Sequence, residues 1–138
     1  MSGVSDLFLL KKGLAQEMLD HARREAPDEC CGLLAGKGSQ VLKVFPARNT
    51  LKSPVRYSLD PKELYQLLKE MENQGWELVG IFHSHTHTQA YPSATDIELG
   101  FWPDALYFII SLQDPDAPLI RAFHIREGRV TEEQLAIR

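Results

Sequence analysis

The most constraining stretch of this chain runs from a strongly apolar segment into a histidine pair. Trp76 to His83 reads as its most apolar strand, and the chain continues His83-Ser84-His85. Seven residues separate His85 from Ser93, and two more separate Ser93 from Asp96. Residues two apart on an extended backbone share a face, so both imidazoles can point at one ion. Ser93 before Ala-Thr-Asp reads as a helix N-cap, so the chain must go from strand through loop to helix, with Asp96 in the first turn. A carboxylate returning there supplies a third ligand. Two His and one Asp, with a position left for water, is the donor set of a catalytic zinc site. Structural sites use four protein ligands, usually with Cys among them.

A bare His-x-His is weak; Ser and Asp at fixed offsets make it specific. The whole string resembles the signature of the JAMM (MPN-plus) metalloproteases. That family also carries a glutamate upstream, on a strand ahead of a small, glycine-containing run. Pro27-Asp28-Glu29-Cys30-Cys31-Gly32-Leu33-Leu34-Ala35-Gly36 is similar to that segment, with Glu29 in the family's position. The resemblance spans about Leu7 to Ile125. It implies an α/β fold of the cytidine deaminase-like type, a curved, mainly antiparallel sheet flanked by helices. The deaminase ligand pattern itself, His-x-Glu with Pro-Cys-x-x-Cys, is absent. One departure stands out. Thr86, followed by His87, occupies the place of the family's usual proline. Loss of that proline loosens the loop without removing a ligand. His87 falls on the ligand face only if the chain stays extended; otherwise it is a solvated loop residue.

The resemblance assigns chemistry. Zinc held by His83, His85 and Asp96 lowers the pKa of its water toward about 7 and polarises a scissile carbonyl. Glu29 is then the general base, and nothing local in the sequence places it beside the histidines. Ser93 is the donor to the developing oxyanion. Each residue also has a plainer reading. Ser93 caps a helix in any case, Asp96 favours the helix dipole, and a lone Glu at a strand start is ordinarily a solvated charge. His21 and His124 read as surface or packing residues. Asp114 and Asp116, among prolines, read as a turn rather than a calcium loop.

The remaining elements follow from periodicity. Leu7–Leu10 reads as a short strand, and Gly13–Glu25 as a helix with Leu14, Met18 and Ala22 on one stripe. Glu29–Ala35 and Val41–Ala47 make a hairpin about Gly36-Lys37-Gly38-Ser39, with Val41, Lys43 and Phe45 on one face. Asn49–Pro54 is a loop and Val55–Leu59 a short strand. Asp60, Pro61 and Glu63 predict a capping box at the start of a helix running to Asn73, stopped by Gly75. Leu64, Leu67, Leu68 and Met71 form its buried stripe. Leu106–Leu112 and Leu119–Ile125 are strands, and Glu127-Gly128 turns the chain toward one last short strand.

At 138 residues the chain reads as one domain, with core enough to fold without disulfides. Nineteen acids against fifteen bases give a net charge of −4, no electrostatic footprint for nucleic acid. No stretch approaches the roughly 20 apolar residues of a membrane span, and the N-terminus lacks the pattern of a signal peptide. The adjacent Cys30 and Cys31 read as reduced, buried thiols of a cytoplasmic protein. The chain is short for the family, without the large insertions by which ubiquitin-chain enzymes grip their substrate. The resemblance therefore implies cleavage at the C-terminal tail of a small ubiquitin-like or sulfur-carrier protein. An exposed strand edge near the site is an expected docking place for that tail. The resemblance also leaves room for a homodimer. A non-catalytic MPN-type docking module and a small-molecule amide hydrolase are the alternative functions.

Overall fold

A computed structural model describes residues 7–138. Its elements are β1 (Phe8–Leu10), α1 (Lys12–Glu25), β2 (Cys31–Lys37), β3 (Gln40–Ala47), α2 (Pro61–Asn73), β4 (Glu77–His85), α3 (Ala94–Glu98), β5 (Leu106–Ser111), β6 (Leu119–Arg126), β7 (Arg129–Glu133) and β8 (Leu135–Ile137). The strands form one sheet in the order β7-β6-β5-β4-β2-β3-β1-β8. The ladders β2–β3, β2–β4, β5–β6 and β6–β7 are antiparallel, whereas β4–β5, β1–β3 and β1–β8 are parallel. The sheet is thus mainly antiparallel, as expected.

Alternation of side chains divides the core between two faces of the sheet. On one face Ala15, Met18 and Ala22 of α1 pack against Leu34, Val44, Phe82, Phe108 and Ile110. On the other, Met71 of α2, with Leu64, Leu67 and Leu68, covers Leu33, Phe45, Ile81 and Tyr107. Helices on both faces bury β2, β4 and β5 almost completely, which explains their near-continuous apolar sequences. Gly32 is required by this closeness, since a β-carbon there would collide with the Phe82 ring and the Phe45 carbonyl.

The structure corrects several sequence readings. Val55–Leu59 is not a strand; only an isolated bridge joins Asn49 to Leu59. The Asn49 side chain, bonded to the backbone of Arg56 and Ser58, takes groups that a ladder would need. At α2, Asp60 does cap the Glu63 amide, at 3.0 Å. The Glu63 carboxylate does not return the bond, because it accepts from the Arg48 amide at 3.1 Å. In β3 the register shifts where Ala35 faces Lys43 and Gly36 faces Val41, leaving Leu42 as the extra residue. This bulge puts Val41 and Val44 in the same core and breaks the simple alternation. The C-terminus holds two short strands rather than one. β8 pairs in parallel with β1, a partnership that three apolar residues do not announce.

Candidate metal centre

Strand β4 is buried from Val79 through His85, and beyond the bulge at Val79 its odd-numbered residues, beginning with Ile81, face the α2 side. His83 and His85 therefore extend the face of Ile81 at the strand's C-terminal end. Just beyond, α3 begins with a complete capping box. Ser93 Oγ accepts from the Asp96 amide at 3.1 Å, and Asp96 Oδ2 accepts from the Ser93 amide at 2.9 Å. The cap turns the Asp96 carboxylate back toward β4. Oδ2 lies 3.1 Å from His83 Nε2 and 3.0 Å from His85 Nε2, and the two imidazole nitrogens are 3.2 Å apart. Three buried donor atoms thus form a nearly equilateral triangle, and these are the residues whose ligand atoms converge.

That triangle fits zinc. A tetrahedral ion with bonds of about 2.0–2.1 Å sets its ligand atoms roughly 3.3 Å apart. The donor chemistry agrees. His85 Nδ1 lies 2.9 Å from the Gln89 carbonyl, which can only accept, so Nδ1 carries the hydrogen and Nε2 presents a lone pair. Burial pushes the His83 pKa down, favouring the neutral imidazole that ligates metal. Burial opposes charge on Asp96, but in the metal-free site hydrogen bonds from imidazole Nε2–H groups, whose protons an ion would displace, outweigh it and hold the carboxyl well below the ordinary carboxylate range. Burial opposes charge on His85 too, and the same Asp96 bond outweighs it and raises that imidazole.

Glu29 reaches this site through the sheet. Cys31 faces His83 across the β2–β4 ladder. Continuing that register one pair further joins Cys30 to Ser84, whose amide donates to the Cys30 carbonyl at 3.2 Å. The next step brings Glu29 level with His85. Glu29 is buried, and its Oε1 has no hydrogen-bond partner among the described residues. Burial raises its pKa to about 8, against the pull of His85 and with the push of Asp96. Ser93 is exposed at the rim. Its oxygen serves the cap as an acceptor, which leaves the hydroxyl hydrogen available to another group.

Other candidate residues stand apart. β4 ends at His85, so His87 lies in an exposed turn away from the triangle. His21 is buried, with Nε2 3.0 Å from the Cys31 carbonyl, and His124 pairs with Glu133 at 3.1 Å. Asp114 Oδ1 accepts from the Asp116 amide, a local turn. Cys30 and Cys31 are buried free thiols, pushed up to about 12 by burial. The expected strand edge near the site is not there. β4 is paired on both sides, and the sheet edges lie at β7 and β8. An apolar groove of about 370 Å³ opens instead beside Tyr57, whose ring stacks on His83, and is lined also by Leu51, Leu59, Ile81, Phe101 and Trp102. Sequence reasoning passed over Tyr57 and Asn49, and no local pattern marks either one.

A curved mixed sheet between helices, with His-x-His ending a central strand and an Asp at the next helix start, defines a JAB/MPN-type domain. The chain belongs to the family described as prokaryotic homologs of the JAB domain, whose model matches residues 11–126. It is 40% identical over 137 residues to the CysO-cysteine peptidase of Mycobacterium tuberculosis, covering 98% of this chain and 94% of that one. It is 38% identical over 124 residues to a probable TtuB-protein conjugate cleaving protease of Thermus thermophilus, covering 89% of this chain and 79% of that one. A solution structure of a Desulfitobacterium hafniense protein superposes with a TM-score of 0.86 at 42% identity, covering 94% of this chain and 92% of that one.

Proposed function

We propose that this chain is a zinc-dependent peptidase cleaving the peptide or isopeptide bond at the C-terminal tail of a small ubiquitin-like or sulfur-carrier protein. The observation that carries the reading is the buried His83–His85–Asp96 triangle with buried Glu29, whose Oε1 has no hydrogen-bond partner among the described residues, on the adjoining strand. The two relatives named above support the substrate class.

His83 and His85 through Nε2, and Asp96 through Oδ2, would hold the ion. Zinc there would supply Lewis acidity, lowering the pKa of a water toward about 7 and polarising the scissile carbonyl. Glu29 takes the proton from the attacking water and hands it to the departing amine. Burial raises its carboxyl to about 8 in the metal-free protein, and the positive charge of an ion beside it would draw that value down toward the pKa of the attacking water, the match that proton transfer in both directions needs. Ser93 directs its free hydroxyl hydrogen at the oxyanion that forms on the carbonyl oxygen. The apolar groove beside Tyr57 seats the acyl side of the substrate. Among the described residues no helix is long and apolar enough to cross a membrane. The two buried free thiols support a reducing, cytoplasmic setting.

The test is intact-mass analysis of a sulfur-carrier protein bearing a short C-terminal extension, incubated with zinc-loaded enzyme. Mass loss matching cleavage after the terminal glycines, abolished by a chelator, is the expected result. An unchanged substrate beside zinc-loaded enzyme would overturn this substrate assignment and turn attention to ubiquitin linkages or small amides.

A further inference from the structure

The two histidines are held in different ways. The His85 ring is fixed by its Nδ1 hydrogen bond to the Gln89 carbonyl. His83 Nδ1 is buried and has no hydrogen-bond partner among the described residues. A ligating imidazole is ordinarily oriented by such a partner. On the Nδ1 side, therefore, packing rather than a hydrogen bond sets the plane of the His83 ring, which only its Nε2 otherwise ties to Asp96 and His85. Tyr57 supplies that packing. Its ring stacks on His83 with centroids 4.6 Å apart and planes 20° from parallel.

Tyr57 belongs to no helix or strand, so something else must hold it. Asn49, 4% exposed, does so with its full hydrogen-bonding capacity. Its Nδ2 donates to the Arg56 carbonyl at 2.9 Å and to the Glu29 carbonyl at 3.0 Å. Its Oδ1 accepts from the Ser58 and Leu51 amides, each at 3.1 Å. Arg56 and Ser58 flank Tyr57, so one buried amide grips the chain on both sides of the ring and ties it to Glu29.

We propose that Tyr57 is a positioning residue for His83, and that Asn49 is the clamp that keeps Tyr57 stacked there. The inference rests on the reading of His83 as a metal ligand. Because Tyr57 also lines the apolar groove, a chain lying in the groove bears on the same ring that orients His83. The loop therefore links substrate seating to ligand geometry.

The experiment measures zinc affinity by chelator competition, and the visible spectrum of the Co²⁺-substituted protein, for wild type, Tyr57→Phe, Tyr57→Leu and Asn49→Ala. Tyr57→Phe keeps the stacked ring and should retain the wild-type affinity and spectrum. Tyr57→Leu and Asn49→Ala should weaken zinc binding by about 10- to 100-fold, the usual effect of losing a group that orients a ligand, and should alter the Co²⁺ bands. In Tyr57→Leu, kcat should fall by a larger factor than KM rises. Wild-type affinity and an unchanged spectrum in Tyr57→Leu would overturn the inference alone. Wild-type protein that takes up no metal would overturn the metal-centre reading and the inference with it. Should Asn49→Ala fail to fold, Tyr57→Leu still decides.

Discussion

Cys31 lies directly across the antiparallel β2–β4 ladder from His83. Two residues back on one strand and two forward on the other, the same register sets Glu29 against His85. A carboxylate and an imidazole from distant parts of the chain thus meet without any motif joining them. The meeting is decided by strand pairing in the middle of the sheet, where a one-residue slip would turn one of the two side chains to the α1 face and part it from the other.

Glu29 is placed where ionisation is costly, and the metal-free protein should show it. Burial raises its carboxyl from an ordinary 4.5 to about 8. Below pH 4.5 folded and unfolded chains both carry the proton, and the shift costs nothing. Between about 4.5 and 8 the unfolded chain releases a proton that the folded one retains, so stability falls as pH rises. Chelated Glu29→Gln should therefore melt above chelated wild type at pH 8, by on the order of 2–4 kcal/mol, with the gap closing toward pH 4.5. The same variant should bind zinc and lose cleavage. A pH-independent gap in thermal melts, or full activity in the variant, would remove Glu29 from the general-base role.

Ser93 carries a capping role that is on display and a catalytic one that is proposed. Ser93→Ala should cost about 1 kcal/mol in urea unfolding through the lost cap. It should also lower kcat by roughly 10²- to 10³-fold through the lost oxyanion donor. Ser93→Asp separates the two roles, because aspartate accepts from the Asp96 amide but has no hydrogen to give. Stability should return and activity should not. Recovery of activity with stability would reduce Ser93 to a cap.

Metal should stabilise the fold through the same three side chains. Zinc at a hundred times its Kd adds about 2.7 kcal/mol if it binds only the folded chain. That is a rise in Tm of roughly 8 °C for a domain of this size. Asp96→Asn retains an acceptor for the Ser93 amide but loses the anionic ligand. It should fold, and should show little or no zinc-dependent rise in calorimetry. A rise equal to that of wild type would place the metal elsewhere.

Much of this molecule is legible along the chain because the signals act over a few residues. Helix α1 declares itself by its stripe and α2 by Asp60-Pro61. The end of β4 and the Ser93–Asp96 cap follow from alternation and from one side chain's reach to a nearby amide. Where a local rule failed, a distant group had intervened. Glu63 left its capping box for the Arg48 amide, and residues 55–59 gave up strand pairing to the Asn49 side chain.

The sequence by itself therefore determined which residues cap and pack within each element, and which three side chains are offered as ligands at one place. The position of Glu29 beside His85, the stack of Tyr57 on His83 and the grip of Asn49 on the loop belong to the tertiary structure. These contacts join segments far apart in the chain, and their geometry is set by the register of β2 against β4. Burial of Leu33 and Ile81 under α2, and of Leu34 and Phe82 under α1, holds that register. No window of neighbouring residues contains the information that two separate helices supply when they close on the two faces of one sheet.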